Sequence, residues 1–180
     1  MSKQTPRVVV GVDGSPNSRR ALRFALREAE LRGARLDVVY TYRDEVPELH
    51  RPAVLEEDPL SFAGERRNAR DSDEAGQRES MRREDEAHGR EQARALSVIE
   101  RAFEGIDVPD GVQWRAVPIP GRHPADGLID AAHGAELLVV GTRGRGGFTG
   151  LVLGSVSQQC VHQASVPVTV VRGDNEADDA

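Results

Sequence analysis

Apolar residues in this chain follow two rhythms. The first is the β-branched run of "RVVVGVDGS", Arg7 to Ser15, where three successive valines leave no polar face. A strand buried on both sides reads this way, and Gly14 and Ser15 end it. The second rhythm begins at once. Ser15 and Pro16 supply an N-cap and a first helical residue, and Ala21, Leu22, Ala25, Leu26 and Ala29 recur at helical spacing until Gly33. "RLDVVYTY", Arg35 to Tyr42, is a second strand, and a right-handed crossover through the helix makes the two strands parallel.

Between residues 43 and 85 both rhythms fail. Charges of both signs, three prolines and few apolar residues predict a solvated, mobile insertion. A helical stripe resumes from about Glu84 to Phe103, carried by Ala87, Ala95, Leu96, Val98, Ile99, Ala102 and Phe103. "VQWRAVPI" is a third strand, which Pro118 assigns to a sheet edge. "PADGLIDAAHGA" is a helix opened by Pro124 and closed by Gly134, and "ELLVVG" is a fourth strand. Ser155 to Ala164 reads as a helix and "VPVTVVR" as a fifth strand. This alternation predicts an α/β fold with a doubly wound parallel sheet flanked by helices. It is expected to form a single domain over residues 1–173, interrupted by the insertion at about 43–85, with the acidic tail at 174–180 frayed and solvated.

Composition sharpens this picture. A chain of 180 residues suffices for one domain, and with 38% hydrophobic but only 4% aromatic residues the core must be built from Val, Leu, Ile and Ala. The net charge of −6 weighs against nucleic acid and anionic membranes as partners. A single cysteine, Cys160, allows neither an intramolecular disulfide nor a Cys-based zinc cluster. With no apolar run of signal-peptide or membrane-spanning length, the expected address is the cytoplasm. His50, His88, His123, His133 and His162 lack metal-ligand spacing, and Cys160, on a helix with Val156 and Val161, reads as a packing residue. No nucleophile, base and orienting partner can be assembled.

Candidate chemistry concentrates in "VVGTRGRGGFTGLVLGSVSQ", residues 139–158, which holds six of the eighteen glycines. Glycine is costly to order, so a cluster implies either a tight turn or a close approach to main chain. The cluster follows the fourth strand and precedes a helix, placing it at the carboxyl edge of the sheet, where open α/β folds bind ligands. Gly141, Gly144, Gly154 and Ser155 follow the spacing G-x2-G-x9-G-S. Main-chain N–H groups at the glycines and at the helix start suit phosphate, with Arg143 and Arg145 adding charge and Ser155 able to cap the helix or bond a phosphate oxygen. No Gly-Lys-Ser/Thr occurs, so this is not a Walker loop. The dinucleotide fingerprint is missing too, because the first strand-to-helix turn reads "GVDGS".

These residues resemble the nucleotide-binding members of the universal stress protein family. "GTRGRGGFTGLVLGS" matches their G-x2-G-x9-G-(S/T) pattern, and the likeness extends to "VVVGVDGS", "GRHPADGLIDAAHGAELLVVGTRGRGG" and "SVPVTVVR". The resemblance implies a Rossmann-like sheet of five parallel strands, order 3-2-1-4-5, of the adenine nucleotide alpha hydrolase type. It also implies a bound ATP, with any Mg2+ held mainly by phosphate oxygens. Carried over residue by residue, it places phosphate and ribose contacts at Gly141, Gly144, Gly154 and Ser155, an acidic group near the adenosine at Asp13, a pocket wall at Val12 and an adenine contact at Thr41. On the residues alone, Asp13 reads equally as a turn or capping residue. Two departures stand out: the turn "GRHPA" places Arg122 and His123 between Gly121 and Pro124, and the 43–85 insertion is longer and more charged than the family's usual segment.

The resemblance also implies a homodimer through the last strand, Val166 to Arg172. An uncovered edge of β-branched residues is open to pairing with a second copy, and Thr169→Pro is expected to obstruct that pairing. The function expected is that of a binding module whose ATP occupancy is signalled to a protein partner. Slow ATP hydrolysis and a ligand-free dimeric scaffold are the alternatives.

Overall fold

The computed structural model describes residues 5–42, 66–121, 123–144 and 153–172. Its elements are β1 (Arg7–Gly11), α1 (Pro16–Arg32), β2 (Arg35–Tyr42), α2 (Arg66–Ala102), β3 (Trp114–Pro120), α3 (Pro124–Ala132), β4 (Leu137–Gly141), α4 (Ser155–Gln163) and β5 (Val168–Val171). The strands form one parallel sheet in the order β3-β2-β1-β4-β5. The chain divides into two compact units, Met1–Arg43 with Gln92–Ala180, and Asp44–Glu91; the sheet lies wholly in the first.

The three valines of β1 are fully buried because this strand is central and covered on both faces. Val8 and Val10 join Leu36, Val38, Leu137 and Val139 against Leu22 and Leu26 of α1 and Ile99 of α2. Val9 turns the other way, with Val39, Leu138 and Val140, onto Leu128 of α3 and Cys160 of α4. α1 begins as its sequence suggests: the Ser15 hydroxyl accepts the Ser18 N–H at 3.2 Å, and Pro16 stands first in the helix. It ends at Gly33, whose φ of 58° turns the chain back so that the Ala34 N–H donates to the Ala29 carbonyl at 2.8 Å.

α2 departs from expectation. A helix was expected from about Glu84, with an irregular, mobile segment before it, yet the chain is already helical at Arg66. The remainder of that segment, 43–65, and the tail, 174–180, lie outside the described residues. Charge pairs support the helix on the amino side of the expected start: Arg82 meets Glu79 at 2.9 Å and Glu86 at 2.8 Å, and Arg83 meets Glu79 at 3.0 Å. Pairs three and four apart support this stretch of the helix, which lacks the apolar stripe of the carboxyl half and therefore has no readable period. From Gln92 the helix belongs to the sheet unit, where Ala95, Val98, Ile99 and Ala102 are buried.

Hydrogen-bond parity fixes what the two sheet edges offer. At β3, Leu36 N–H donates to Gln113 O at 2.8 Å and Gly121 N–H to Tyr42 O at 2.9 Å. Alternate residues of a parallel edge strand bond inward, so Trp114, Ala116, Pro118 and Pro120 turn their main chain outward. At β5, Leu138 N–H donates to Pro167 O and Thr142 N–H to Val171 O. Thr169 therefore bonds inward to β4, while Val168, Val170 and Arg172 turn outward. This corrects the expectation for Thr169→Pro, which would remove a bond within the sheet and leave the outer edge untouched.

Candidate functional site

At β1 the strand order reverses, with β2 on one side and β4 on the other. The chain leaves β1 for α1 on one face and β4 for α4 on the opposite face, so the carboxyl ends of the two strands part to form a crevice. A cavity of about 570 Å³ occupies it, within the range of small-molecule sites.

The first wall comes from β1 and β2. Val12 is buried, with its N–H donating to Val39 O at 2.9 Å. The Asp13 Oδ1 atom accepts the Ser15 N–H at 2.9 Å, and the Asp13 N–H donates to Ser18 Oγ at 3.3 Å. Asp13 thus shapes the turn and also lines the cavity. Thr41 closes the far side, pinned by α3: a Cβ at Gly127 would lie 2.8 Å from its methyl group, and one at Gly11 would lie 2.9 Å from Leu128. Those two glycines let α3 sit close enough for Pro124 and Leu128 to reach the cavity.

The second wall is formed by the described ends of the glycine loop, Gly141 to Gly144 and Gly154, together with α4. A Cβ at Gly141 would lie 3.0 Å from the Asn17 carbonyl, and one at Gly144 would lie 2.5 Å from Asp13 Oδ2. Arg143, Gly144, Gly154 and Ser155 all line the cavity. Of the residues singled out in the sequence, Val12, Asp13, Thr41, Gly141, Arg143, Gly144, Gly154 and Ser155 surround one space; Arg145 lies outside the described residues, as does Arg122 of the preceding turn.

Ser155 does not cap the helix. The cap is Gly154, with no side-chain bond, and its own N–H is spent on Thr142 O at 2.7 Å. α1 is different, because Ser15 answers its own first turn. The α4 terminus therefore presents to the cavity a first turn, from Ser155 to Ser157, that no side chain among the described residues caps, together with the positive end of the helix dipole. Sequence reasoning missed Ser157, whose hydroxyl donates to Gly141 O at 2.5 Å and ties the loop's start to the helix. It also missed Ser18; its position three residues after a capping serine was the available signal. Cys160 is fully buried, and burial pushes its thiol up to about 11, as suits an inert packing residue. Among the described residues no cluster of three His, Cys, Asp or Glu side chains is placed to hold a metal.

The model of the universal stress protein family matches residues 5–172. The chain belongs to the universal stress protein family. It is 35% identical over 169 residues to a universal stress protein of Mycobacterium tuberculosis, covering 92% of this chain and 45% of that protein. A universal stress protein of Thermus aquaticus is 33% identical over 167 residues, with 92% and 97% covered. The chain spans about half the length of the mycobacterial relatives it matches. Among solved structures, the universal stress protein UspA of Lactobacillus plantarum has a TM-score of 0.60 at 17% identity, covering 95% of this chain and 100% of that one. A universal stress protein solved in complex with cAMP has a TM-score of 0.54 at 23% identity, covering 94% and 98%. Both likenesses concern the fold, and the universal stress protein sheet is the one described above. No helix among the described residues is long and apolar enough to cross a membrane.

Proposed function

We propose that this universal stress protein binds ATP in the β1–β4 crevice and signals its occupancy to a protein partner in the cytoplasm. The observation that carries the reading is the uncapped start of α4 facing the glycine loop across one cavity. Phosphates would rest on the N–H groups of Ser155 to Ser157 and on the main chain at Gly141 and Gly144, with Arg143 and Arg145 adding charge. The adenosine would lie against Val12, Val39, Leu128 and Val140, with Thr41 main chain at the base and Asp13 toward the ribose. The residues present fit such a group, because a Cβ at Gly144 would close the path between loop and carboxylate. The structural relative solved with cAMP was bound to a ligand of the same adenine class. Mg2+ would be held chiefly by phosphate oxygens, since Asp13 is the one carboxylate among the residues lining the cavity.

Binding rather than catalysis fits this lining, in which Asp13 already serves the β1–α1 turn by accepting the Ser15 N–H. A second reading, slow hydrolysis of ATP, is favoured by Asp13 standing opposite Gly144, within reach of the phosphates. Mass spectrometry of small molecules released by denaturing freshly purified protein tests the proposal. An adenine nucleotide is expected, and a protein that is empty and takes up none on incubation with ATP would overturn it. A product assay during that incubation separates the binder from the hydrolase.

The same reading includes a homodimer through β5. Its outward groups at Val168 and Val170 are open to a second copy, whereas Pro118 and Pro120 deprive the β3 edge of two outward donors.

A further inference from the structure

At the amino ends of β1, β2 and β3, opposite the crevice, the buried Asp37 carboxylate is saturated with donors. Its Oδ1 accepts from Arg35 Nε at 3.0 Å and Arg115 Nε at 2.8 Å. Its Oδ2 accepts from Arg7 Nη1 at 3.1 Å and Arg115 Nη2 at 2.9 Å. Three guanidiniums share one carboxylate, so within the cluster two positive charges exceed it on a chain whose net charge is −6, and Glu30 and Asp110 line a separate recess with Arg35. Arg7 also donates to His133 O at 2.6 Å. Both terminal nitrogens of Arg35 and Nη1 of Arg115 are not used by Asp37, on side chains 37% and 51% exposed. A buried anchor holds these cations in place, so a docking anion would cost little further side-chain ordering.

Among the described residues the edge beside them is open in part. Trp114 and Ala116 turn N–H and C=O outward, and Pro118 and Pro120 end the usable stretch. On the opposite face from Arg115, Trp114 stacks on Phe103 with ring centroids 4.3 Å apart, while remaining 38% exposed. An extended peptide added to this edge would send alternate side chains to the two faces, one toward arginines and the other toward an aromatic pair.

We propose that the first half of β3 docks an extended segment of a partner protein in which acidic and apolar residues alternate, its carboxylates set on Arg115 and Arg35 and its apolar side chains on Trp114. A bare phosphate would use the arginines and leave the edge and the ring idle, which favours the peptide. Trp114 is the only tryptophan in the chain, so its emission reports occupancy of this surface. The probe is an acetylated Val-Glu-Val-Glu-Val-Glu-Val amide titrated into the full chain, with the Lys-for-Glu peptide and inorganic phosphate as comparisons. A saturable emission change with the Glu peptide alone is expected, weakened at least about fivefold in Arg115→Gln. Arg35→Gln, which leaves Asp37 two partners, repeats that test should Arg115→Gln fail to fold. Ala116→Pro, which removes an outward donor and keeps the ladder bonds that Arg115 and Val117 make to β2, is expected to abolish the change while the circular dichroism stays native. The proposal is overturned if the Glu peptide gives no saturable change up to roughly 1 mM. It is equally overturned if folded arginine variants bind it as tightly as the parent, or if phosphate reproduces the change and Ala116→Pro has no effect, which would mark a plain anion site.

Discussion

Gly141 and Gly144 both exclude a side chain, for different reasons. A Cβ at Gly141 would press on the main chain of Asn17, in the first turn of α1, so Gly141→Ala is expected to lower stability. At Gly144 the obstacle is the Asp13 carboxylate, 2.5 Å away, so the side chain would intrude on the cavity itself. Gly144→Val is expected to weaken ATP binding at least about tenfold, or roughly 1.4 kcal/mol, in a protein that stays folded; unchanged affinity by calorimetry would remove the loop from the site. Asp37 makes a separate expectation about acid. Burial alone would push its carboxyl up, but hydrogen bonds from Arg115 and Arg7 and the charges of Arg115 and Arg35 together hold it below its ordinary 3.8. With the folded value below the unfolded one, its stabilisation is complete above 3.8 and is lost as pH falls from there through the folded value. Asp37→Asn is expected to cost about 2 kcal/mol at neutral pH in urea unfolding and to flatten that acid dependence. A variant with the parent's stability and acid profile would show the cluster to be energetically idle. Glycine spacing and the Ser15–Pro16 start were legible in the chain because they are local. The Asp37 cluster was not, since its arginines come from three strands whose neighbours only the sheet order decides.

The strands were readable because burial on both faces leaves a continuous apolar run, as in Val8 to Val10 and Leu137 to Val140. Pro118 correctly marked an edge. The amino half of α2 was not readable, because it carries no apolar period; at Glu79, Arg82, Arg83 and Glu86 the helix is supported by charge pairs instead. Nor could apolar pattern reveal which way each edge residue turns its N–H, and that parity decides the assembly test. Val170→Pro removes an outward donor from β5, so light scattering is expected to show the proposed dimer lost with the fold kept. Thr169→Pro instead breaks the β4–β5 ladder and is expected to cost about 2 kcal/mol or more. A Val170→Pro protein that remains dimeric would place the interface elsewhere.

On the whole molecule, the crevice proposed to hold nucleotide lies at the carboxyl ends of the strands and the arginine surface at their amino ends. The two proposals therefore stand apart: losing peptide binding should leave nucleotide binding intact, and the reverse. The fold reached through the sequence and the family resemblance agrees with the sheet order observed, and that order is what brings Asp13, Thr41 and Gly144 around one cavity. Ser157 and Leu128 joined them unforeseen, because a hydroxyl that ties a loop and a leucine that lines a wall look in sequence like any helix residues. The central claim is that α4 and the glycine loop give this universal stress protein affinity for phosphate. Calorimetric titration of the nucleotide-free protein with ATP and, in parallel, with adenosine tests it most directly. ATP is expected to bind at least about tenfold more tightly than adenosine; equal affinity for the two, or no binding of ATP, would contradict it.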